Sequence, residues 1–132
     1  MREIDPKKTK RADAFDLWMS SPMPMVTLTK TFDITHIYRF SKKKDMKLNM
    51  LLCWCIGKAA SKINEFYLLP VKDKLFEYDK LAINVIVNNK RGGINSCDIP
   101  YCDNLEMFNN DYIRLTEKVS NSCESIFEED SM

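Results

Sequence analysis

Hydrophobic residues recur at helical spacing in two long stretches of the chain. Over residues 48–63 they are three and four apart and also occupy much of the opposite side, which predicts a helix buried between layers. Over residues 105–126 they again advance by threes and fours, and Asp103 or Asn104 can cap the start of this helix. These two stretches predict the main helices of the fold.

Shorter patterns precede them. Residues 1–10 are polar and basic and predict a loosely held arm, whereas residues 11–19 predict an amphipathic helix that Pro22 and Pro24 stop. Residues 25–34 alternate between apolar and polar, as in a half-buried strand. A short helix over residues 36–41 follows, capped by Asp33 or Thr35. The lysines after it indicate a solvated helix end or, as the alternative, a phosphate site.

The middle of the chain has the pattern of strands and turns. Residues 65–71 predict a strand that turns at Lys72 and Asp73 and returns over residues 75–78. Residues 81–87 are nearly all apolar, which predicts a central strand covered on both faces. Residues 88–93 are rich in asparagine and glycine, as turns are. The whole chain, residues 1–132, is therefore expected to form a single α+β domain.

Composition limits the function classes. The chain is 45% hydrophobic and 30% charged, as in a globular protein, and its net charge of +1 gives no reason to expect nucleic acid or a membrane as a partner. Its N-terminus is charged and its longest apolar run is short and interrupted by lysines. We therefore expect a soluble, cytoplasmic protein.

Cysteine and histidine offer little catalytic or metal chemistry. None of the five cysteines forms a Cys-x-x-Cys pair, so reduced thiols are expected rather than disulfides or a zinc site, and no metal is predicted. His36 is the only imidazole. A surface or capping role is favoured over a catalytic one, because no serine or cysteine in its own segment is placed as its nucleophile. No catalytic residue is assigned.

Several short motifs, in their order and spacing, resemble the chloramphenicol acetyltransferase family of acyl-CoA-dependent O-acyltransferases. The resemblance spans residues 11–126 and corresponds to the N-terminal half of that family. The residues that carry it are Arg11, Phe15 and Trp18, then Asp33-Ile34-Thr35, Ile63-Asn64-Glu65-Phe66 and Tyr78-Asp79-Lys80-Leu81, and finally Phe108 and Tyr112.

The resemblance implies a partial two-layer α/β sandwich, with a mixed sheet packed on helices. Members of the family are longer, assemble as homotrimers and transfer an acetyl group from acetyl-CoA to a hydroxyl group. Their general base is a histidine in a C-terminal His-His-x-x-x-Asp-Gly motif, which this sequence lacks. The resemblance thus implies a truncated N-terminal portion that is inactive alone.

The same resemblance implies part of a pocket for a small apolar acceptor that bears a hydroxyl group. By position it assigns substrate-binding roles to Leu17, Trp18, Pro22, Val87 and Asn88. Trp18 stands where the family usually has a tyrosine, which leaves the identity of the acceptor open. Core packing is the alternative for Leu17 and Trp18.

Two other functions stay open at this point. The chain could be a non-catalytic binding or interaction module derived from the same fold, which docks on a complete subunit or holds a small apolar molecule. It could also be a free-standing enzyme with a different base, although no such base is evident in the sequence.

Overall fold

The computed structural model describes residues 1–132 as four α-helices and five β-strands. The helices are α1 (Ala12–Ser20), α2 (Thr35–Lys44), α3 (Leu48–Ala60) and α4 (Leu105–Ser122). The strands are β1 (Arg2–Ile4), β2 (Leu68–Val71), β3 (Lys74–Glu77), β4 (Ala82–Asn88) and β5 (Ile94–Pro100). Two short 3₁₀ helices, Pro6–Lys8 and Asn64–Tyr67, complete the regular structure.

Strands β1, β3 and β2 form an antiparallel sheet in that order. The predicted hairpin is confirmed: β2 and β3 pair from Leu68–Glu77 to Val71–Lys74, and Lys72 adopts a left-handed conformation (φ 55°) in the turn. The prediction of a loose N-terminal arm is wrong. Residues 2–4 pair with β3, and an ion pair between Lys74 and Glu3 (2.7 Å) spans the two strands.

Strands β4 and β5 form a second antiparallel sheet, in register from Ala82–Pro100 to Asn88–Ile94. The sequence pattern predicted no strand over the residues of β5. Cys97 and Ile99 are fully buried on one face, and Asp98 between them lies on the other face and is partly buried. The turn predicted over residues 88–93 is present and joins the two strands, with Gly92 at φ 81°.

The main hydrophobic core lies where α3 and α4 pack on the second sheet. Its ten buried residues are Met50, Leu51, Cys53, Val85, Cys97, Ile99, Phe108, Tyr112, Leu115 and Val119. Both long helices were predicted. However, α3 is not buried nearly all round, since Cys55 and Ile56 are exposed and only one side of the helix meets the core.

Helix ends follow the chemistry of their capping residues. The Asn104 side chain accepts a hydrogen bond from the Met107 amide (3.0 Å), as predicted for the start of α4. The helix stops at Cys123, which takes a left-handed conformation (φ 60°), so it is shorter than the hydrophobic pattern suggested. Before α2, the Asp33 carboxylate accepts from the Thr35 amide (2.8 Å).

Two predicted strands differ from expectation. Residues 25–34 form no strand, and their apolar side chains are exposed, with Leu28 at 91% and Phe32 at 72%. Strand β4 is not a central strand covered on both faces, since β5 is the only strand beside it and Ile86 is 61% exposed. In both cases the sequence has the apolar residues of a covered strand, but the chain supplies no covering partner.

The fold class is α+β, as predicted. Instead of one mixed sheet the chain has two small antiparallel sheets, and an isolated parallel bridge joins Cys97 and Ile126. No helix has the length and apolar character needed to cross a membrane.

Candidate functional site

An apolar cavity of about 420 Å³ lies between α1 and the three-stranded sheet. Seven of its nine lining residues are hydrophobic. One wall comes from α1 and the residue before it, and the other from the β2–β3 hairpin. The lining residues are Arg11, Ala14, Phe15, Trp18, Leu68, Leu69, Pro70, Leu75 and Met132.

The helical wall follows from sequence spacing. Arg11, Ala14, Phe15 and Trp18 are separated by three or four residues, so they share one face of α1. Phe15 is half-buried and Trp18 is 41% exposed, which leaves aromatic surface accessible from the cavity. Aromatic walls of this kind suit a flat or apolar ligand.

The opposite wall is fixed by the hairpin. Pro70 is tolerated because β2 lies at the edge of its sheet, where a missing backbone N–H costs no interstrand hydrogen bond. Leu75 on β3 is 4% exposed and contributes a buried side chain to the lining of the cavity. The hairpin therefore faces the aromatic side of α1.

Arg11 is the one charged side chain in the lining of the cavity. The five ion pairs of the chain involve other groups, so the Arg11 guanidinium has no carboxylate partner within 4 Å. A ligand in the cavity would thus meet mainly hydrophobic side chains and one cationic donor, the Arg11 guanidinium.

The five residues assigned to the acceptor pocket do not lie together in this cavity. Only Trp18 lines the cavity. Leu17, on the same helix, is 74% exposed, and Pro22 lies in the exposed segment that follows. Val87 packs against the main core, and the Asn88 carbonyl accepts a hydrogen bond from the Ser120 hydroxyl (3.0 Å).

Sequence reasoning missed the hairpin wall and the position of Arg11 in the cavity. The spacing of Arg11, Phe15 and Trp18 could have indicated the helical wall. Nothing in the sequence indicates that residues 68–75 face it, because that contact joins segments that are far apart in the chain.

A polar cluster, separate from the cavity, lies at the end of α3. The Asp103 carboxylate pairs with the Lys58 ammonium (3.1 Å) and accepts a hydrogen bond from the Tyr101 hydroxyl (3.1 Å). The hydrogen bond from Lys58 and then that from Tyr101 hold the pKa of Asp103 below its usual value. The Lys58 ammonium also lies 4.6 Å from the centre of the Trp54 ring. This cluster is an ion pair at the surface.

Nothing in the structure assembles a nucleophile with a base. His36 is exposed in the first turn of α2. Burial raises the pKa of the Cys53 and Cys97 thiols, which favours their unreactive protonated form. No three histidine, cysteine, aspartate or glutamate side chains form a group that could hold a metal ion.

Comparison with known proteins bears on the fold. No family model matches the sequence, and no curated protein matches it. Among solved structures, the chain is similar to a chloramphenicol acetyltransferase, with a TM-score of 0.78 at 14% sequence identity. The match covers 91% of this chain but 58% of that chain, so this chain spans little more than half the length of its structural neighbour. The likeness shows an acyltransferase-like fold.

Proposed function

We propose that the chain is the N-terminal portion of an acetyl-CoA-dependent O-acetyltransferase and that it supplies part of the acceptor site. The observation that carries this proposal is the likeness in fold, because 91% of the chain superposes on 58% of a chloramphenicol acetyltransferase. The sequence motifs that resemble the same family support it independently of the fold.

In this proposal the α1 side of the molecule binds the apolar body of a hydroxyl-bearing acceptor. Trp18 contributes an aromatic wall, and Leu17 and Pro22 extend that surface beyond the cavity. Val87 and Asn88, at the end of β4, form a second part of the acceptor surface once further protein is present. The exposed positions of Leu17 and Pro22 fit a site completed by other residues.

The acceptor hydroxyl would attack the thioester carbonyl of acetyl-CoA, form an ester and release CoA as the thiol. A base must take the hydroxyl proton, and we propose that it lies in residues outside this chain, in a His-His-x-x-x-Asp-Gly motif. The complete protein would be a cytoplasmic homotrimer that needs no metal. The 132 residues alone would have no transferase activity.

A binding module is the second candidate, and the cavity favours it. The cavity between α1 and the hairpin is mainly apolar, and its volume of about 420 Å³ fits a small apolar molecule. Such a module would bind its ligand in a saturable manner and would not cleave a thioester.

The test is thiol release from acetyl-CoA by the purified chain, measured with a panel of apolar alcohols. We expect no release above the uncatalysed rate. Release that a point substitution abolishes would contradict the proposal and indicate a free-standing enzyme. Quenching of Trp18 fluorescence, in a Trp54→Phe background, measures binding in the same samples. Saturable quenching that Phe15→Ala weakens, without thiol release by a longer protein that continues past Met132, would favour the module.

A further inference from the structure

Strand β4 has one paired edge and one open edge. In an antiparallel pair, residues alternate between those whose backbone groups face the partner and those whose groups face away. The Tyr101 amide donates to the Leu81 carbonyl (2.8 Å) and the Asn89 amide to the Gly93 carbonyl (2.8 Å), which sets the odd-numbered residues toward β5. The N–H and C=O groups of the even-numbered residues, including Asn84 and Ile86, therefore point to the open edge.

Met132 already occupies the first position of that edge. Its amide donates to the Lys80 carbonyl (3.0 Å), and its carbonyl accepts from the Ala82 amide (2.7 Å). In a parallel strand pair, a residue bonds to the two residues on either side of its partner. Met132 bonds in this way to Lys80 and Ala82, on either side of Leu81. The backbone at Met132 thus begins a parallel pairing with β4.

The remainder of the edge is free up to its far end. There the Ser120 hydroxyl donates to the Asn88 carbonyl (3.0 Å), which ends the exposed backbone. Between these points lie the backbone groups of Asn84 and Ile86, and the Ile86 side chain is 61% exposed. Unpaired edges of this kind readily accept another strand.

We propose that the open edge of β4 is a docking site for one further strand, and that its occupant is an extended peptide joined to Met132 and running parallel to β4. If the residue after Met132 is counted as the first, the second, fourth and sixth residues of the peptide would donate to the carbonyls of Ala82, Asn84 and Ile86. Their own carbonyls would accept from the amides of Asn84, Ile86 and Asn88. The pairing would extend the second sheet from two strands to three.

Another possible occupant is the segment 25–34 of a second copy, which has the alternation of a strand and no sheet of its own. A peptide joined to Met132 is favoured because Met132 fixes both the starting point and the direction of the pairing. For a strand from a second copy, neither the starting point nor the direction of the pairing would be fixed in this way. The proposal rests on these hydrogen bonds and does not depend on acetyl transfer.

The experiment fuses seven residues of alternating valine and threonine to Met132 of the full chain. Amide hydrogen exchange is then measured residue by residue. The N–H groups of Asn84 and Ile86 should exchange about tenfold or more slowly than in the unextended chain, because the added strand covers them. The Val85 and Val87 amides, which already face β5, should change much less.

A pair of proline substitutions in the added strand provides the matched control. Proline at its fourth residue removes the donor to the Asn84 carbonyl and should abolish the protection. Proline at its third residue removes an N–H that faces away from β4 and should preserve most of it. Equal exchange at Asn84 and Ile86 with and without the added strand would overturn the proposal. So would protection in the unextended chain that rises with protein concentration, since a second copy would then occupy the edge.

Discussion

Gly57 lies directly against the ring of Tyr101. A Cβ atom at Gly57 would fall 2.5 Å from Cδ2 of Tyr101 and 2.8 Å from Cδ1 of Ile83. Helix α3 therefore approaches the second sheet at a distance that only glycine allows, although glycine lowers the stability of a helix interior. This contact fixes how the long helix lies on β4 and on the segment after β5.

Gly57→Ala should lower the free energy of unfolding by about 1–3 kcal/mol, because the added methyl group must displace the Tyr101 ring and the Ile83 side chain. Urea denaturation measures the change. Ala59→Gly, at an exposed position of the same helix, is the control and should cost about 1 kcal/mol through helix propensity alone. A Gly57→Ala protein stabilised by about 1 kcal/mol would show that propensity outweighs the contact.

The five free thiols should react at very different rates. Cys55 is exposed, whereas Cys53 and Cys97 are buried and their raised pKa values keep them protonated. A chromogenic aromatic disulfide should therefore label Cys55 first and reach Cys53 and Cys97 only after unfolding. Cys55→Ser should remove the fastest phase. Native labelling of Cys97 at the rate of Cys55 would contradict the packing of β5 against α4.

Asp103 should titrate below its ordinary pKa of 3.8, chiefly because the Lys58 ammonium donates to its carboxylate. A depressed folded-state pKa stabilises the fold above the unfolded-state pKa, and this contribution disappears as pH falls through the folded-state value. Lys58→Met should raise the pKa of Asp103 toward 3.8, as measured by NMR titration of its carboxyl carbon. Lys62→Met is the control and should have a smaller effect, because the Lys62 charge contributes least to the lowered pKa of Asp103. An unchanged titration in Lys58→Met would rule out the ion pair.

The helices and the hairpin could be predicted from sequence because their signals are local. Periodicity identified α3 and α4, and the turn at Lys72 and Asp73 located β2 and β3. Strand β1 has three residues, too few to show a period, and its pairing with β3 is a contact between distant segments. Strand β5 was missed because Asn95, Ser96 and Asp98 make it largely polar, which hides the alternation of the buried Cys97 and Ile99.

Residues 25–34 show the opposite case. Their alternation has the form of a strand, yet a strand also needs a neighbour, and the chain places none beside them. The cavity could be predicted only in part. Spacing places Phe15 and Trp18 on one helical face, but the hairpin that faces them comes from a distant part of the chain.

Leu28→Asp should leave the free energy of unfolding within about 0.5 kcal/mol of its original value, because Leu28 is 91% exposed. It should also reduce self-association, measured by light scattering, since it places a charge in an exposed apolar segment. Leu51→Asp is the contrast, because Leu51 is 2% exposed and its replacement buries a carboxylate in the core. Strong destabilisation by Leu28→Asp would show that the segment is packed.

The most direct test of the proposed function is the sequence of the coding DNA beyond the codon for Met132. If the chain is the first portion of an acetyltransferase, the reading frame continues and encodes a His-His-x-x-x-Asp-Gly motif, whose histidine would be the missing base. A stop codon directly after Met132 would contradict acetyl transfer by this gene product and leave the binding module as its function.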